Sequence, residues 1–518
     1  MASDKFRMWA APLAVLFVWL AFLVPSLDKS RMQEVDELTH ARVAQAAALN
    51  GHWCPLMLDG RVFYEKPPLL LWLAGATAKF SGRPYDSWPY RIWPCLGAGL
   101  ALACLILIGR LVRRPWVGVV ALVGLALQGD FIYHARFFTF DTPFIACMLA
   151  SLVFSLRAVR RGHPGDWGWA GLALGLAVAF KSWFVLALIP AYVCAVFAHV
   201  PRSQRLKTAW ALGMPPLVVL LFWILLYVCW NGLGFLSEEW SNNLMGRIAG
   251  KNFTLDPDGH AAFYLNWAAW TAPALLPWVL AIPLTLVPSG LPRSGAMDVD
   301  GRVLAFLRTW TCAFIVSWLL GLVLVRAETM NYVLPLEAAL CLGAGLTMDA
   351  GFRMKRGWVG TVLVAASVLA TLRVWAPVWS LGVGALLGLT WLFLGQAKES
   401  KSKALAWAPS LSVVLGLGLA GLLAREAFGL LNRPLDPNRI LAELLLAHPA
   451  ASNGEKLWFL SAATQAPNFY SSYQVQQLDS LPQRRPVEAS LVKIRGGWIF
   501  FPAGGVLPAV TSLDRGRP

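Results

Sequence analysis

Long runs of apolar residues constrain this chain more than any other feature. A helix needs about 20 apolar residues to cross the hydrocarbon core of a bilayer, and roughly thirteen segments of the sequence meet that requirement. Of the 518 residues, 57% are hydrophobic and only 14% are charged, whereas soluble domains carry about 25% charged residues. The sequence therefore predicts an all-α polytopic membrane protein with roughly thirteen spans.

Short basic loops between these segments predict their orientation. Lys and Arg in short loops are retained on the cytoplasmic side, and a cytoplasmic N-terminus gives a consistent alternation of basic and non-basic loops. Much of the net charge of +16 then comes from basic loops that orient the spans, so we expect no nucleic-acid partner. The predicted spans lie near residues 9–27, 92–111, 115–132, 141–158, 167–180, 182–199, 208–230, 262–287, 304–325, 330–348, 357–374, 376–395 and 405–424.

Three longer segments fall on the non-cytoplasmic side: residues 28–91, 231–261 and 425–518. The first contains a helical pattern from Asp36 to Asn50. The last alternates short apolar runs with turns, which is typical of strands. We predict a transmembrane catalytic domain over residues 1–424, with the outer segment 28–91, and a small mixed α/β extracytoplasmic domain over residues 425–518.

The outer segment begins with an acidic pair, Asp36 and Glu37, just after the first span. Acidic residues in the first turn of a helix also complement the helix dipole, so taken alone the pair favours a structural role. Further along, the run Phe63–Pro68 reads F-Y-E-K-P-P. Two prolines can open a helix, at whose N-terminus a lysine and free N–H groups bind phosphate. The alternative is an interfacial lysine that reaches toward water.

A third polar element stands at the outer mouth of the fourth span, where Arg136 and Asp141 flank three aromatic residues. Ionisable groups at the edge of a span are costly unless they are paired or functional. Capping of the helix by Asp141 is the structural alternative.

These motifs together resemble the GT-C glycosyltransferases that use polyprenyl-phosphate sugars. The resemblance rests on D-E-x-x-x-A at residues 36–41, Y-E-K-P-P-L-L-x-W at residues 64–72 and the aspartate that opens the fourth span. Within this group the sequence looks most like the lipid A aminoarabinose transferases and the related bacterial protein O-mannosyltransferase-like enzymes. Further matching elements are Phe180–Ser182, Leu276–Trp278 and Asn331–Leu336. The family layout of thirteen spans and an outer C-terminal domain agrees with the count above.

The resemblance implies roles for individual residues. Asp36 would be the catalytic carboxylate that activates the acceptor hydroxyl, with Asp141 and Glu65 as catalytic neighbours, and Lys66 would bind the carrier phosphate. Other implied phosphate-binding cations on the same side are Lys181, Arg136, Arg247, Lys251 and Arg326. Residues expected to line the substrate cavity are Glu37, His40, Tyr64 and Tyr332.

Two departures from the family pattern bear on specificity. Where the aminoarabinose transferases usually read D-E-x-R-Y-A-E, this chain has Thr39, His40 and Arg42 in place of the Arg, the Tyr and the second acid. A lysine expected before the tenth span is replaced by Glu328. Asp36 and His40 are also candidate ligands for a divalent metal ion.

The implied function is transfer of a sugar, aminoarabinose among the candidates, from undecaprenyl phosphate to lipid A or another envelope acceptor. We expect inversion at the anomeric carbon and an active site on the periplasmic face of a bacterial inner membrane. Alternatives are a protein O-glycosyltransferase of the same fold, a transporter or flippase of lipid-linked sugars, and a non-catalytic relative. Transporters often contain two related halves, and the sequence has no such symmetry.

Overall fold

In the computed structural model of the protein, long helices connect a compact outer segment to a helical bundle. The structure describes residues 2–28, 32, 36–126, 128–238, 245–246, 264, 298–324 and 330–353, and four strands beyond residue 456. The helices of this part are α1 (Ala2–Leu23), α2 (Asp36–Asn50), α3 (Leu69–Ser81), α4 (Trp88–Leu111), α5 (Pro115–Ala126), α6 (Gly129–Arg136), α7 (Asp141–Arg161), α8 (Pro164–Lys181), α9 (Ile189–His199), α10 (Arg202–Asn231), α11 (Gly234–Glu238), α12 (Val299–Leu324) and α13 (Leu334–Arg353). Short 3₁₀ segments occur at Val24–Ser26, Ser182–Leu188 and Met330–Tyr332.

Five helical stretches among the described residues are long and apolar enough to cross a membrane: Trp88–Leu111, Asp141–Arg161, Pro164–His199, Arg202–Asn231 and Val299–Leu324. The chain is accordingly a multi-pass membrane protein. The predicted spans near residues 9–27, 92–111, 141–158, 208–230, 304–325 and 330–348 each coincide with a helix. Those near residues 262–287, 357–374, 376–395 and 405–424 lie outside the described residues, so the total of thirteen stays a prediction.

The stretch Pro164–His199 contains 36 residues, and a straight helix of that length would be about 54 Å long. Its two ends nevertheless lie close together. The ring of Phe306 is 6.0 Å from the ring of Trp167 and 6.3 Å from that of His199, measured between centroids. The chain therefore reverses direction between α8 and α9, as the two separate predicted spans over residues 167–180 and 182–199 require.

The predicted span over residues 115–132 is wrong as a single straight helix. The structure contains two helices there, α5 and α6, whose axes differ by 72°. Gln128 and Asp130 interrupt the apolar run at the break. The 72° bend redirects the chain toward the outer segment, where residues 137–140 approach α2.

The outer segment folds around an apolar cluster of its own. Helices α2 and α3 pack together, and buried residues such as Leu38, Ala44 and Leu71 form the interior with Phe138. Strands β1 (Met57–Leu58) and β2 (Arg61–Val62) form an antiparallel hairpin between the helices.

The two turn residues of this hairpin, Asp59 and Gly60, both have positive φ, at 51° and 79°. A two-residue I′ hairpin turn requires positive φ at both central positions. The predicted turn at Leu58–Arg61 and the helix from Asp36 are therefore confirmed.

A close helix approach fixes the start of α7. A Cβ atom added to Gly97 would lie 2.8 Å from the Cα of Pro143, so glycine is needed for α4 to meet the first turn of α7. Thr142 Oγ1 also donates a hydrogen bond of 2.8 Å to the carbonyl of Pro94. Asp141, which opens α7, is therefore held at a fixed position against α4.

Near the C-terminus the structure describes β3 (Leu457–Phe459), β4 (Val475–Gln477), β5 (Ser490–Ile494) and β6 (Gly497–Phe501). They form one sheet in the order β4-β3-β6-β5, with β3 and β4 parallel and the other pairs antiparallel. Strand formation in the tail was predicted, but a complete mixed α/β domain over residues 425–518 stays a prediction.

Candidate active site

The first turn of α2 carries two carboxylates with different environments. Asp36 is exposed, and the described residues give it no ion pair or hydrogen bond. Glu37 is 2% exposed and forms a bidentate ion pair with Arg91, which is fully buried. The Arg91 Nε–Oε1 and Nη2–Oε2 distances are 2.7 and 3.0 Å. Burial against a guanidinium gives Glu37 a structural role, and its place in the cavity lining stays a prediction.

This ion pair connects three elements of the site. Glu37 Oε1 also accepts a hydrogen bond of 2.9 Å from the Phe138 N–H, and Arg91 Nη1 donates one of 2.8 Å to the Leu27 carbonyl. The guanidinium carbon of Arg91 lies 5.0 Å from the centroid of the Phe137 ring. The pair thereby ties α2, α4 and the segment that leads into α7, and it fixes the separation of the elements that carry Asp36 and Asp141. We call this the Glu37–Arg91 brace.

A second buried ion pair joins Asp141 at the start of α7 to Lys181 at the end of α8. The Lys181 ammonium also lies 4.2 Å from the centroid of the Phe184 ring and 5.4 Å from that of Tyr332. Ser182, directly after the lysine, has φ 41° and ψ −117°. Such a conformation is costly for a non-glycine residue and concentrates at functional sites, and it marks the point where the chain turns out of α8.

His40 belongs to α2, the helix of Asp36, and contacts the residue that precedes α7, the helix of Asp141. It follows Asp36 by four residues, so the two share a face of α2. Its ring contacts the Phe63 ring and the Phe140 ring edge to face, at centroid distances of 6.0 and 4.8 Å. Burial, and then the positive charge of Lys66, lower the pKa of His40 well below its usual value of 6.5, so the imidazole is neutral at pH 7.

Lys66 stands directly before the two prolines and helix α3. Tyr227 Oη on α10 donates a hydrogen bond of 3.0 Å to the Lys66 carbonyl, which fixes the backbone at this position. The N-cap of α3 is Pro68, and it has no side-chain capping bond. A helix N-terminus without a side-chain cap presents free N–H groups and a partial positive charge, which suit an anion.

An aromatic cluster holds the segment before Lys66. The Tyr64 ring meets the Phe235 ring edge to face at 5.9 Å, and Phe235 packs on Trp223 and Tyr227 of α10. Glu65 is exposed between the two anchored neighbours.

The structure brings together most of the residues singled out in the sequence. His40 shares a face of α2 with Asp36 and lies within electrostatic reach of Lys66, which Glu65 precedes in the chain. Contacts through Phe140 extend this set to Asp141, Lys181 and Tyr332. Arg136 differs, because it is fully buried and its guanidinium donates to Ser26 Oγ and Ser26 O at 3.3 and 3.4 Å. Its burial does not favour contact with the carrier phosphate, and that role stays a prediction. Arg247, Lys251, Arg326 and Glu328 lie outside the described residues.

Arg91 and Tyr227 were missed in the sequence. Arg91 lies at the edge of an apolar span, which is itself a signal, since ionisable groups there are paired or functional. Tyr227 carried no such signal, because a tyrosine near the end of an apolar span is common at the membrane interface. In the part of the chain that the structure describes, no three His, Cys, Asp or Glu side chains converge to hold a metal ion. Metal binding by Asp36 and His40 stays a prediction.

Part of the chain matches a known protein family. Residues 65–230 match the family described as dolichyl-phosphate-mannose-protein mannosyltransferase. That segment begins at Glu65 and includes Lys66, Arg91, Asp141 and Lys181. No curated protein matches the sequence.

Solved structures share the fold over most of the chain. The crystal structure of ArnT from Cupriavidus metallidurans bound to undecaprenyl phosphate has a TM-score of 0.60 and 18% identity, covering 92% of this chain and 86% of that one. Its apo state has a TM-score of 0.58 with the same identity and coverage. The oligosaccharyltransferase AglB from Archaeoglobus fulgidus, in complex with an inhibitory peptide and a dolichol-phosphate, has a TM-score of 0.50 and 10% identity over 94% of this chain and 62% of that one. The predicted resemblance to GT-C glycosyltransferases and the GT-C fold of the described helices are confirmed.

Proposed function

We propose that this chain is a membrane glycosyltransferase that moves a sugar from undecaprenyl phosphate to an envelope acceptor, with inversion at the anomeric carbon. The observation that carries the proposal is the position of His40, which lies one helical turn after Asp36, within electrostatic reach of Lys66, and against the ring of Phe140. Phe140 directly precedes Asp141, which is paired with Lys181.

The acceptor would be activated at Asp36. The Asp36 carboxylate removes the proton from the acceptor hydroxyl, and the resulting oxygen attacks the anomeric carbon of the sugar. The bond between that carbon and the carrier phosphate oxygen breaks, and its electron pair leaves with the phosphate. General base catalysis of this kind needs a carboxylate within hydrogen-bond reach of the hydroxyl. Asp36 suits this role, since it has no competing ion pair in the described residues.

The leaving phosphate would bind at Lys66. An ammonium and the free N–H groups of a helix N-terminus stabilise negative charge where it develops. Both occur together at residues 66–71, because Pro67 and Pro68 position the start of α3 directly after the lysine. The fixed backbone of Lys66, bonded to Tyr227, limits the reorganisation needed at the transition state.

The Asp141–Lys181 pair would complete the site where the start of α7 meets the end of α8. A buried ion pair costs desolvation energy and is weak evidence for a purely stabilising role. Its position beside Tyr332 and Phe184 suits a polar contact to the sugar in an aromatic surround. In this proposal Glu65 is exposed beside Lys66 and contacts the acceptor.

Lipid A or another envelope glycolipid is the acceptor that we favour, with aminoarabinose among the candidate sugars. This preference is supported by the fold shared with ArnT over 92% of the chain. The proposed location is a bacterial inner membrane with the site facing the periplasm. The basic loops of the sequence support that orientation.

A protein hydroxyl is the second candidate acceptor. The observation in its favour is the match of residues 65–230 to a family described by protein mannosylation. The matched segment contains the proposed phosphate site and Asp141. It does not contain Asp36 or His40.

The test is release of undecaprenyl phosphate from undecaprenyl-phosphate sugars by the purified protein in lipid nanodiscs. Parallel reactions contain lipid A or a membrane protein fraction as acceptor. Wild type is compared with Lys66→Ala and with Lys79→Ala, an exposed lysine over the Trp53 ring that serves as control. We expect acceptor-dependent release by wild type and Lys79→Ala and its loss in Lys66→Ala. Equal release by both lysine variants would contradict the proposed phosphate site.

A further inference from the structure

Glu337 is a buried acidic residue that the proposed reaction does not use. It lies in the first turn of α13, within the predicted span near residues 330–348, and is fully buried. Both of its carboxyl oxygens are shielded from water and have no hydrogen-bond partner in the part of the chain that the structure describes. An unpaired buried polar atom costs free energy, and an ionisable residue inside a span is by default a functional one. These two oxygens therefore call for a ligand.

The packing of α13 on α5 shows what Glu337 faces. A Cβ atom added to Gly345 would lie 2.5 Å from the Val117 carbonyl oxygen. One added to Gly124 would lie 3.2 Å from Cys341 Sγ, so the two helices are antiparallel. Glu337 lies one turn beyond Cys341 on the same face of α13, a step of about 6 Å along the axis. That step brings it to the end of α5 and to the break between α5 and α6.

Negative charge accumulates at this break. Asp130, in the first turn of α6, is half-buried and lies within electrostatic reach of Glu337. Helix α5 ends at the same place, and the last carbonyls of a helix carry a partial negative charge. One of these carbonyls, at Gly124, accepts a hydrogen bond of 3.2 Å from Gln128 Nε2. Two carboxyl groups and a helix C-terminus thus meet where α13 crosses the break.

Oxygen atoms of these kinds bind hard cations. Ca²⁺ takes about 6–8 oxygen ligands from carboxylates, backbone carbonyls and water, whereas Mg²⁺ demands a near-ideal octahedron and retains several waters. Two carboxylates neutralise a divalent ion. The carbonyls of an interrupted helix supply further oxygens, as they do in the ion sites of transporters, so no third acidic side chain is needed.

We propose that Glu337 and Asp130 bind a divalent cation of the Ca²⁺ type at the break between α5 and α6. The cation fixes the 72° bend between these helices, because it joins the first turn of α6 to α13. Helix α6 leads directly to Phe137, whose ring lies against the guanidinium of Arg91 in the brace. The cation thereby supports the outer segment from a position outside the catalytic site.

The experiment measures binding of radioactive Ca²⁺ by equilibrium dialysis to the full chain in nanodiscs of phosphatidylcholine, a lipid without net charge. Glu337→Gln keeps the size of the side chain and removes its charge, and Asp130→Asn does the same at a half-buried position. Asp36→Asn reports on the other candidate metal site. Asp300→Asn is the matched control, because Asp300 pairs with Arg113, which precedes the opposite end of α5. Circular dichroism establishes that each variant is folded.

We expect saturable Ca²⁺ binding by the wild-type protein. The Kd should rise at least about tenfold in Glu337→Gln and in Asp130→Asn, because each variant loses one carboxylate ligand. Asp36→Asn and Asp300→Asn should bind Ca²⁺ as wild type does. Ca²⁺ should also raise the unfolding temperature of the wild-type protein, since a ligand that binds only the folded state stabilises it, and this rise should be absent in Glu337→Gln.

Three results would overturn the inference. The first is no saturable binding by the wild-type protein, which is expected if Glu337 is only a buried neutral acid. The second is wild-type affinity in a folded Glu337→Gln protein, or in Asp130→Asn should Glu337→Gln not fold. The third is loss of binding in Asp36→Asn alone, which would assign the cation to the catalytic site. Sugar transfer is not measured, so each result is independent of the proposed function.

Discussion

Replacement of Arg91 by methionine should destabilise the protein severely. The substitution leaves the Glu37 carboxylate buried without its guanidinium partner, while the Phe138 N–H still donates to it. Removal of one member of a buried ion pair typically costs about 3–5 kcal/mol, and loss of the bond to the Leu27 carbonyl adds about 1 kcal/mol. A total of about 4–6 kcal/mol is large beside the 5–15 kcal/mol by which folded proteins are usually stable.

The double variant Glu37→Leu/Arg91→Met should be more stable than Arg91→Met alone. It contains no stranded charge, and its remaining cost comes from two unpaired backbone groups, at Phe138 and Leu27. Loss of each of these two hydrogen bonds costs about 1 kcal/mol, the value used above for the Leu27 carbonyl, so the double variant should lose about 2 kcal/mol. Removing the second residue is thus expected to restore about 2–4 kcal/mol relative to Arg91→Met.

Unfolding by SDS in mixed detergent micelles, followed by the fluorescence of the 26 tryptophans, measures these differences. Arg83→Met is the control, because Arg83 is 67% exposed and its ion pair with Asp86 is 3.7 Å long. Exposed pairs of this kind contribute at most about 1 kcal/mol. A double variant no more stable than Arg91→Met would refute the assignment of the brace as a charge pair, and so would an Arg91→Met protein as stable as wild type.

Three further outcomes are expected. Lys181→Met should lower the sugar-transfer rate and destabilise the protein, because it leaves the buried carboxylate of Asp141 without its ammonium partner. The double variant Lys181→Met/Asp141→Asn should recover stability, measured in the same SDS titration, but should not recover sugar transfer. Tyr227→Phe should raise the Kd for undecaprenyl phosphate a few-fold by freeing the Lys66 carbonyl, with unchanged helix content by circular dichroism; an unaltered Kd would show that this bond does not position the lysine. Because the folded protein lowers the pKa of His40, the unfolded state binds the extra proton first as pH falls below about 6.5, so the free energy of unfolding should decrease there. His40→Gln should lose less stability than wild type between pH 7 and pH 5, and parallel stability–pH profiles of the two proteins would contradict the assigned shift.

Local signals in the sequence were sufficient for the elements that carry the site. The acidic first turn predicted the start of α2, two prolines predicted the start of α3, and Asp141 opens α7 where the sequence placed the fourth span. Each of these signals acts within one or two turns of helix. The reversal between α8 and α9 was also predicted, because two apolar runs meet at Lys181.

Long-range contacts explain what the sequence did not reveal. The brace joins Glu37 to Arg91 across 54 positions, and the burial of Glu37 was not predicted because a surface carboxylate and a buried one look alike in sequence. The same reasoning applies to Arg136, which is buried against Ser26 across 110 positions. The bend between α5 and α6 was missed although Gln128 and Asp130 interrupt the apolar run, because total hydropathy outweighed two polar residues.

The central claim is that Asp36 activates the acceptor for attack on a sugar carried by undecaprenyl phosphate. The most direct measurement is single-turnover transfer in nanodiscs by wild type and Asp36→Asn, with donor binding measured on the same preparations. We expect Asp36→Asn to bind the donor with wild-type affinity and to lose at least about a hundredfold in transfer rate, in line with general base catalysis. Transfer at the wild-type rate by a folded, donor-binding Asp36→Asn protein would contradict the account.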